Sequence, residues 1–231
     1  MTNATAIAIK QAKDLLKNRV VLIQFLIMPA MALILTELVA KGEPELPDLM
    51  FVNMFASVFV GMIVVTSTTG IIAEDREHKS LRFLVMAGVK PAQYLAGIGV
   101  VVLVASAIVS VMFGLMGGFT PVDFGKFMAL MLVSSVASMT LGALIGILSK
   151  NQQAATAVAM PVAMVLGFAP MIAMFNEAVK KVCAPLYTMQ ASLALDDLSA
   201  GLGQPLLIML ANAVVLVVAF AIAYQKKGLR N

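Results

Sequence analysis

The chain of 231 residues contains no tryptophan, one cysteine and one histidine, and only 12% of its residues are charged. With a single cysteine, Cys183, it can form neither an intrachain disulfide nor a cysteine-cluster metal site. A zinc site with two histidine ligands is excluded in the same way, because His78 is the only histidine. Cysteine-cluster and two-histidine zinc centres are therefore excluded. Asp196 and Asp197 stay an alternative as a metal or proton site, although solvated caps or charges at a helix end are the favoured interpretation.

Sequence motifs for catalysis are missing as well. The chain has no GxxxxGK[ST] phosphate-binding loop and no GxSxG nucleophile motif. It therefore cannot bind ATP through a Walker-type loop, and a lone histidine is a weak candidate for a catalytic base. We expect a protein that is not an enzyme and has no cofactor of its own, so that any ATP and magnesium are bound by a partner subunit.

Hydrophobic residues, in contrast, make up 61% of the sequence, and the mean hydropathy is +0.99. Such apolar runs are not kept in water without large exposed hydrophobic surfaces, so the chain is predicted to be an integral membrane protein. About 20 apolar residues cross a hydrocarbon core as a helix. Six runs qualify, at 20–39, 49–73, 94–119, 127–148, 154–175 and 205–224. The prediction is an all-α membrane protein with one domain, residues 1–231.

Ionisable groups are almost absent from these six runs. Carriers driven by protons or ions usually bury an acid or a base near the middle of the membrane. Here only Glu37 comes close, and it lies at the outer end of its run. A secondary carrier or channel is therefore disfavoured, although it stays an alternative.

Lysine and arginine are distributed unevenly between the two sides of the membrane. An even number of spans puts both termini on one side, which holds twelve basic residues against four on the other. The twelve are Lys10, Lys13, Lys17, Arg19, Arg76, Lys79, Arg82, Lys90, Lys150, Lys226, Lys227 and Arg230. Since a basic excess marks the cytoplasmic side, both termini are predicted to be cytoplasmic. Topology alone explains the net charge of +4, and no nucleic-acid partner is expected.

Residues 1–19 precede the first span and carry an amphipathic pattern. At about 100° per residue, one arc of the helix holds Ala4, Ala8, Ile9, Ala12, Leu15, Leu16 and Val20. The opposite arc holds Lys10, Gln11, Lys13, Asp14, Lys17 and Asn18, while Ala6, Ile7 and Arg19 fit neither. We predict an interfacial helix that contacts membrane lipid through Lys10, Lys13, Leu16 and Lys17. The alternative is a solvated leader whose periodicity is accidental.

Three segments, in their order and spacing, resemble the permeases of ABC-2-type transporters. The first, EDREHKSL at residues 74–81, is similar to that family's charged loop after the second span, although Lys79-Ser80 replaces Gly-Thr and Gly88 stands near an expected proline. The second, LGALIGILSKNQQAATAVAMP at 141–161, is similar to its fourth span, short turn and fifth span. The third, APLYTMQASLALDDLSAG at 184–201, is similar to the segment before its last span.

The resemblance implies the membrane subunit of an exporter in a bacterial or archaeal plasma membrane. In such systems two permease copies, here a homodimer, work with two ATP-binding-cassette ATPase subunits. Substrate then moves outward through the permease dimer. The resemblance also implies that residues 74–93 form a cytoplasmic coupling loop whose short helix docks on the ATPase.

Within this loop, residues 80–87 are predicted to be the coupling element, because their apolar side chains beside Arg82 would give an ATPase a rigid surface to push on. The predicted ATPase-coupling interface consists of Glu74, Asp75, Arg76, Glu77, Ser80, Leu81, Arg82, Phe83 and Leu84. The acids of this set are expected to pair with basic residues, either of the amino-terminal helix or of the ATPase. A plain solvated loop is the alternative.

Residues 176–204 are too many for a hairpin turn and too apolar for a free loop. They are predicted to form short helices at the outer membrane face, and the resemblance implies a cap over the exit path. The missing tryptophan and only three tyrosines disfavour a glycan conduit, in which aromatic rings stack on sugars. We therefore expect an apolar or amphipathic substrate, such as a drug, a peptide or a lipid. A membrane anchor that recruits a soluble partner without a transport path is a further alternative.

Overall fold

A computed structural model describes residues 3–42, 46–47, 49–199 and 201–227. Within these ranges the secondary structure is helical and no strand is present. Three predicted features fall in part beyond them. Residues 1–2 of the amino-terminal helix, residue 200 of the outer segment, and Arg230 of the cytoplasmic basic set lie outside the described residues.

The described residues form eleven α-helices. They are α1 Asn3–Lys17, α2 Arg19–Leu38, α3 Met50–Val58, α4 Val65–Glu77, α5 Ser80–Met86, α6 Pro91–Met116, α7 Pro121–Leu148, α8 Gln152–Ala173, α9 Glu177–Cys183, α10 Tyr187–Asp196 and α11 Gly203–Lys227. A 3-10 turn, Ala40–Gly42, follows α2, and a π-helical segment, Phe59–Val64, joins α3 to α4.

Among the described residues, six helical segments are long and apolar enough to cross a membrane. They are Arg19–Gly42, Met50–Glu77, Pro91–Met116, Pro121–Leu148, Gln152–Ala173 and Gly203–Lys226. The predicted all-α membrane protein with six spans is therefore confirmed. We name the two ends of the bundle after residues that lie there. The Asp75 end is the end at which α4 terminates, and the Asn53 end is the opposite one, at which α3 begins.

Several spans begin at capping residues that hydropathy does not register. The side chain of Thr120 accepts a hydrogen bond from the N–H of Asp123 at 3.2 Å, and Pro121 occupies the first helical position. Asn151 caps α8 in the same way, accepting the N–H of Ala154 at 2.8 Å. Because these caps satisfy N–H groups that would otherwise be unpaired, α7 starts at Pro121 instead of at residue 127.

The second span and α7 are the most buried spans, and they touch through small residues. The hydroxyl of Thr69 on α4 donates to the carbonyl of Gly142 at 3.0 Å. A Cβ at Gly146 would lie 2.8 Å from the Cβ of Ile72, so the two helices are at backbone distance there. Small residues four apart allow this approach in membranes, where packing replaces the hydrophobic effect between helices.

The π-helical segment lies where α8 crosses the second span. A Cβ at Gly61 would lie 2.7 Å from the backbone nitrogen of Gly167, so the two backbones touch directly. Pro161 and Pro170 lie on either side of this crossing and remove two backbone donors from α8. The crossing thus combines three irregularities that each loosen helical hydrogen bonding.

The segment between α8 and α11 contains two short helices, α9 and α10, and α10 extends in among the spans. The hydroxyl of Tyr187, which begins α10, lies 2.7 Å from the hydroxyl of Ser138. Ser138 is about 15 Å along α7 from its end at Leu148, at 1.5 Å per residue. The other end of α10 reaches α3, where the amide of Asn53 donates to the carbonyl of Leu195 at 3.0 Å. We describe α10 as re-entrant because the Tyr187 hydroxyl at one end and the Leu195 carbonyl near the other bind groups on α7 and α3.

Candidate coupling site at the Asp75 end

Two tight turns separate a short helix from the second and third spans. After α4 ends at Glu77, Lys79 adopts a left-handed φ of 61°. After α5, Gly88 adopts a φ of 79° and directs the chain into α6. A left-handed backbone costs a residue such as lysine about 1–2 kcal/mol, so surrounding contacts must hold this turn. The predicted coupling element is thus a helix rather than an irregular loop.

Asp75 is buried, and its carboxylate accepts two hydrogen bonds. The Nζ of Lys10 on α1 donates to Oδ1 at 2.8 Å, and the hydroxyl of Tyr94 on α6 donates to Oδ2 at 2.9 Å. Pairing with the amino-terminal helix, one of the two predicted partners, is therefore confirmed for this acid. Desolvation by burial lowers the pKa of Lys10, but the hydrogen bond and the charge of Asp75 outweigh it and raise the pKa overall.

Arg76 and Glu77 bind the ends of two further spans. The Nη1 of Arg76 donates to the carbonyl oxygens of Ile147 and Ser149 at the end of α7. A carboxylate oxygen of Glu77 accepts the N–H of Gln152, the first residue of α8, at 2.9 Å. Helices end with unpaired carbonyl groups and begin with unpaired N–H groups, so a cation and an anion at these two places satisfy both.

Three consecutive residues thus connect the end of α4 to α1, α6, α7 and α8. We call Asp75, Arg76 and Glu77 the hub. Successive side chains on a helix point about 100° apart, so each of them reaches a different neighbour. These three residues belong to the predicted ATPase-coupling interface, and within the chain they also bind neighbouring helices. Their backbone partners on α7 and α8 are 71 and 75 residues away, and no local pattern identifies them.

α5 exposes two large apolar side chains at the Asp75 end. Phe83 is 68% exposed and Met86 is 67% exposed, whereas Leu81 is 1% exposed and belongs to the core. The rest of the predicted interface divides into exposed Glu74 and Arg82 and half-buried Ser80 and Leu84. Leu81 therefore anchors α5, and Phe83 forms an outward surface together with Met86, which lies within the predicted coupling element 80–87 but outside the residues named for its interface.

Tyr224, near the end of α11, holds the chain where it returns from α5. Its hydroxyl donates to the carbonyl of Val89 at 3.1 Å. Its ring centroid lies 5.5 Å from that of Tyr94, which is itself a donor to Asp75. The last span is thereby linked to the hub through one aromatic contact.

Comparison with protein families matches residues 12–224 to the family described as ABC-2 family transporter protein. The match begins within α1, includes the first five candidate spans and ends within α11, near the end of the sixth. The chain belongs to the ABC-2 transporter family. No curated protein matches it. ABC-2 permeases are membrane components of transporters, and they generally work with an ATP-binding-cassette subunit.

In this ABC-2 permease, α1 packs differently from the predicted amphipathic arrangement. Ile7 and Gln11 are buried, although Ile7 fitted neither arc and Gln11 was placed on the polar one, while Ile9 is 43% exposed. The reason is that α1 packs on α6, where a Cβ at Gly97 would lie 2.7 Å from the Cβ of Ile7. Contact with a helix selects a narrower and differently centred stripe than contact with a flat lipid surface.

The predicted lipid-facing residues of the permease divide into two groups. Lys13, Leu16 and Lys17 are exposed, as an interfacial helix requires. Lys10 is half exposed, but its ammonium group is bound to Asp75. Lys10 of α1 therefore binds Asp75 of the hub, whereas Lys13 and Lys17 are exposed on the surface.

Proposed function

We propose that this permease is the membrane subunit of an ATP-driven exporter and that a separate ATPase subunit docks on α5. The exposure of Phe83 and Met86 carries this proposal, because large apolar side chains beyond the spans are typical of a surface that another protein covers. The basic excess at the Asp75 end is expected for the cytoplasmic side, where ATP is available.

The hub supports transmission of movement from the ATPase into the membrane. Leu81 anchors α5 in the core, and only two residues separate α5 from α4. A displacement of α5 therefore acts on the hub and, through it, on the ends of α1, α6, α7 and α8. Charge-assisted hydrogen bonds are about twice as strong as neutral ones, so these connections are suited to carry a displacement.

The substrate is proposed to be apolar or amphipathic and to move outward. A cavity of about 500 Å³ lies among α7, α8, α10 and α11, with mostly apolar walls and two polar residues, Tyr187 and Asn212. Small-molecule sites are typically apolar clefts of about 300–1,000 Å³ with a few polar groups that orient the ligand. Two permease copies and two ATPase subunits in the plasma membrane are proposed as the working assembly.

The docking surface is tested by copurification. The permease is expressed with a candidate ATP-binding-cassette ATPase, and bound ATPase and ATP hydrolysis are measured. Phe83→Asp combined with Met86→Asp should reduce copurification at least about tenfold, because apolar anchors that a partner desolvates contribute more than about 1 kcal/mol each. Lys150→Asp is the control. Lys150 is exposed in the turn between α7 and α8, and this substitution changes the net charge at the Asp75 end by the same amount as the double variant. Undiminished copurification of the double variant would contradict docking on α5.

Transmission through the hub needs a variant that docks normally. Arg76→Gln leaves α5 unchanged and weakens the connection to the end of α7. We expect normal copurification but less outward movement of an amphipathic dye per ATP hydrolysed in reconstituted vesicles. Movement of the dye without the ATPase would favour a secondary carrier, and a bound ATPase that drives no movement would favour a membrane anchor.

A further inference from the structure

An open apolar groove of about 420 Å³ lies between α1 and α6. On α6 its wall includes Val100, Val104 and Ile108, which recur every four residues and are 55%, 55% and 60% exposed. On α1 its wall includes Ala12 and Leu16. Side chains at this spacing form one continuous stripe on a helix, so the groove offers an extended apolar track to a ligand in the bilayer.

Positive charge borders this groove. Lys13 lies three residues before Leu16 and four after Ile9, and residues at these spacings are neighbours on a helix surface. Lys17 follows Lys13 by one further turn, next to Leu16 in the chain and on the edge of an adjoining polar cleft whose walls include Asp14 and Glu74, and both lysines are exposed. Among the described residues, no carboxylate lies within 4.0 Å of either ammonium group. Lys10, in contrast, is paired with the hub.

We propose that this groove binds an anionic phospholipid, with an acyl chain along the α6 stripe and the phosphate at Lys13 and Lys17. The combination of an apolar face with lysines at its edge is how interfacial helices bind anionic membranes. A zwitterionic phospholipid fits the apolar track equally well but carries no net charge for the lysines to attract. Charge complementarity therefore selects the anionic lipid, by about fivefold for each lysine. The site lies apart from α5, so its test needs no ATPase.

The absence of tryptophan from the chain provides a direct assay, because a single introduced tryptophan is the only indole in the protein. A Leu16→Trp reporter is placed in vesicles of phosphatidylcholine that contain either brominated phosphatidylglycerol or brominated phosphatidylcholine, and quenching of its fluorescence is measured. We expect phosphatidylglycerol to be preferred at least about fivefold. A Val214→Trp reporter, on the exposed face of α11, is the matched control and should show no preference.

Two variants of the reporter protein separate charge from shape. Lys13→Gln with Lys17→Gln should abolish the preference while quenching by both lipids persists. Ala12→Phe, which fills the groove and keeps both lysines, should reduce quenching by both lipids. Equal quenching of the Leu16→Trp reporter by the two lipids would overturn the proposal, and so would a preference that survives the loss of both lysines. Far-UV circular dichroism verifies that each variant retains its helical content.

Discussion

Asp75→Asn keeps the size of the central hub side chain and removes its charge. In the structure the carboxylate accepts from the charged Lys10 at 2.8 Å and from the neutral Tyr94 at 2.9 Å. Hydrogen bonds to charged groups contribute about 1.5–3 kcal/mol. The Lys10 side chain is 56% exposed, so solvent screening brings the energy of the Lys10–Asp75 hydrogen bond toward the lower limit of that range. We therefore expect Asp75→Asn to lower the free energy of unfolding by about 2 kcal/mol.

Titration with a denaturing detergent, followed by far-UV circular dichroism, measures this loss in micelles. A double-mutant cycle with Lys10→Gln isolates the pairwise energy, which should be about 1 kcal/mol. The raised pKa of Lys10 means that this energy is fully present below pH 10.5 and is lost only as the pH rises through the raised value. The pairwise energy should therefore be the same at about pH 6 and pH 9.

The ion pair between Glu37 and Lys41 is the matched control. Its distance, 2.6 Å, is shorter than that of the hub pair, but its side chains are 50% and 64% exposed. Exposed pairs contribute little, so Glu37→Gln should cost less than about 0.5 kcal/mol. If Asp75→Asn cost no more than Glu37→Gln, the conclusion that burial and a second donor make the hub strong would be refuted.

Three further changes test the packing of the re-entrant segment and of the helix crossing. Gly61→Ala should cost about 1–3 kcal/mol of unfolding free energy in the same titration, because its Cβ would lie 2.7 Å from the nitrogen of Gly167. Tyr187→Phe leaves the buried Ser138 hydroxyl without its partner and should cost about 1 kcal/mol by the same measurement. Partial desolvation raises the pKa of Asp196, although its side chain reaches solvent, so its contribution to stability is complete below its ordinary value of 3.8 and is lost as the pH rises through the raised pKa. Asp196→Asn should therefore lose less thermal stability than the parent between about pH 3 and pH 7, and an identical response would argue against this desolvation.

The spans and their number could be predicted because crossing a membrane imposes a condition on each segment separately. A run such as 20–39 needs only its own length and apolar composition to qualify as a helix. The boundaries were less accurate, since α7 begins at Pro121 through a cap by Thr120 that hydropathy does not register.

The sequence indicated where the candidate site lies in the chain, but not which of its side chains are buried and which are exposed. The charged stretch that begins at residue 74 lies at the Asp75 end, and Phe83 is exposed as a docking residue must be. Leu81, however, belongs to the core, while Met86, within the predicted element 80–87, is exposed. Leu81 and Met86 are both large apolar residues of the same seven-residue helix, so the sequence does not distinguish them. Only the packing of the neighbouring spans decides which of the two is buried.

The sequence by itself determined that this protein is an all-α membrane protein with six spans, because hydropathy and span length are properties of each segment alone. Only the tertiary structure decided what the charges at the Asp75 end do, since Asp75, Arg76 and Glu77 bind groups on four different helices. It also decided that α10 enters the bundle, because the hydrogen bond between Tyr187 and Ser138 exists only once distant segments are brought together. Backbone groups in a membrane are satisfied within their own helix, whereas the partner of a side chain such as Asp75 or Tyr187 depends on the whole fold.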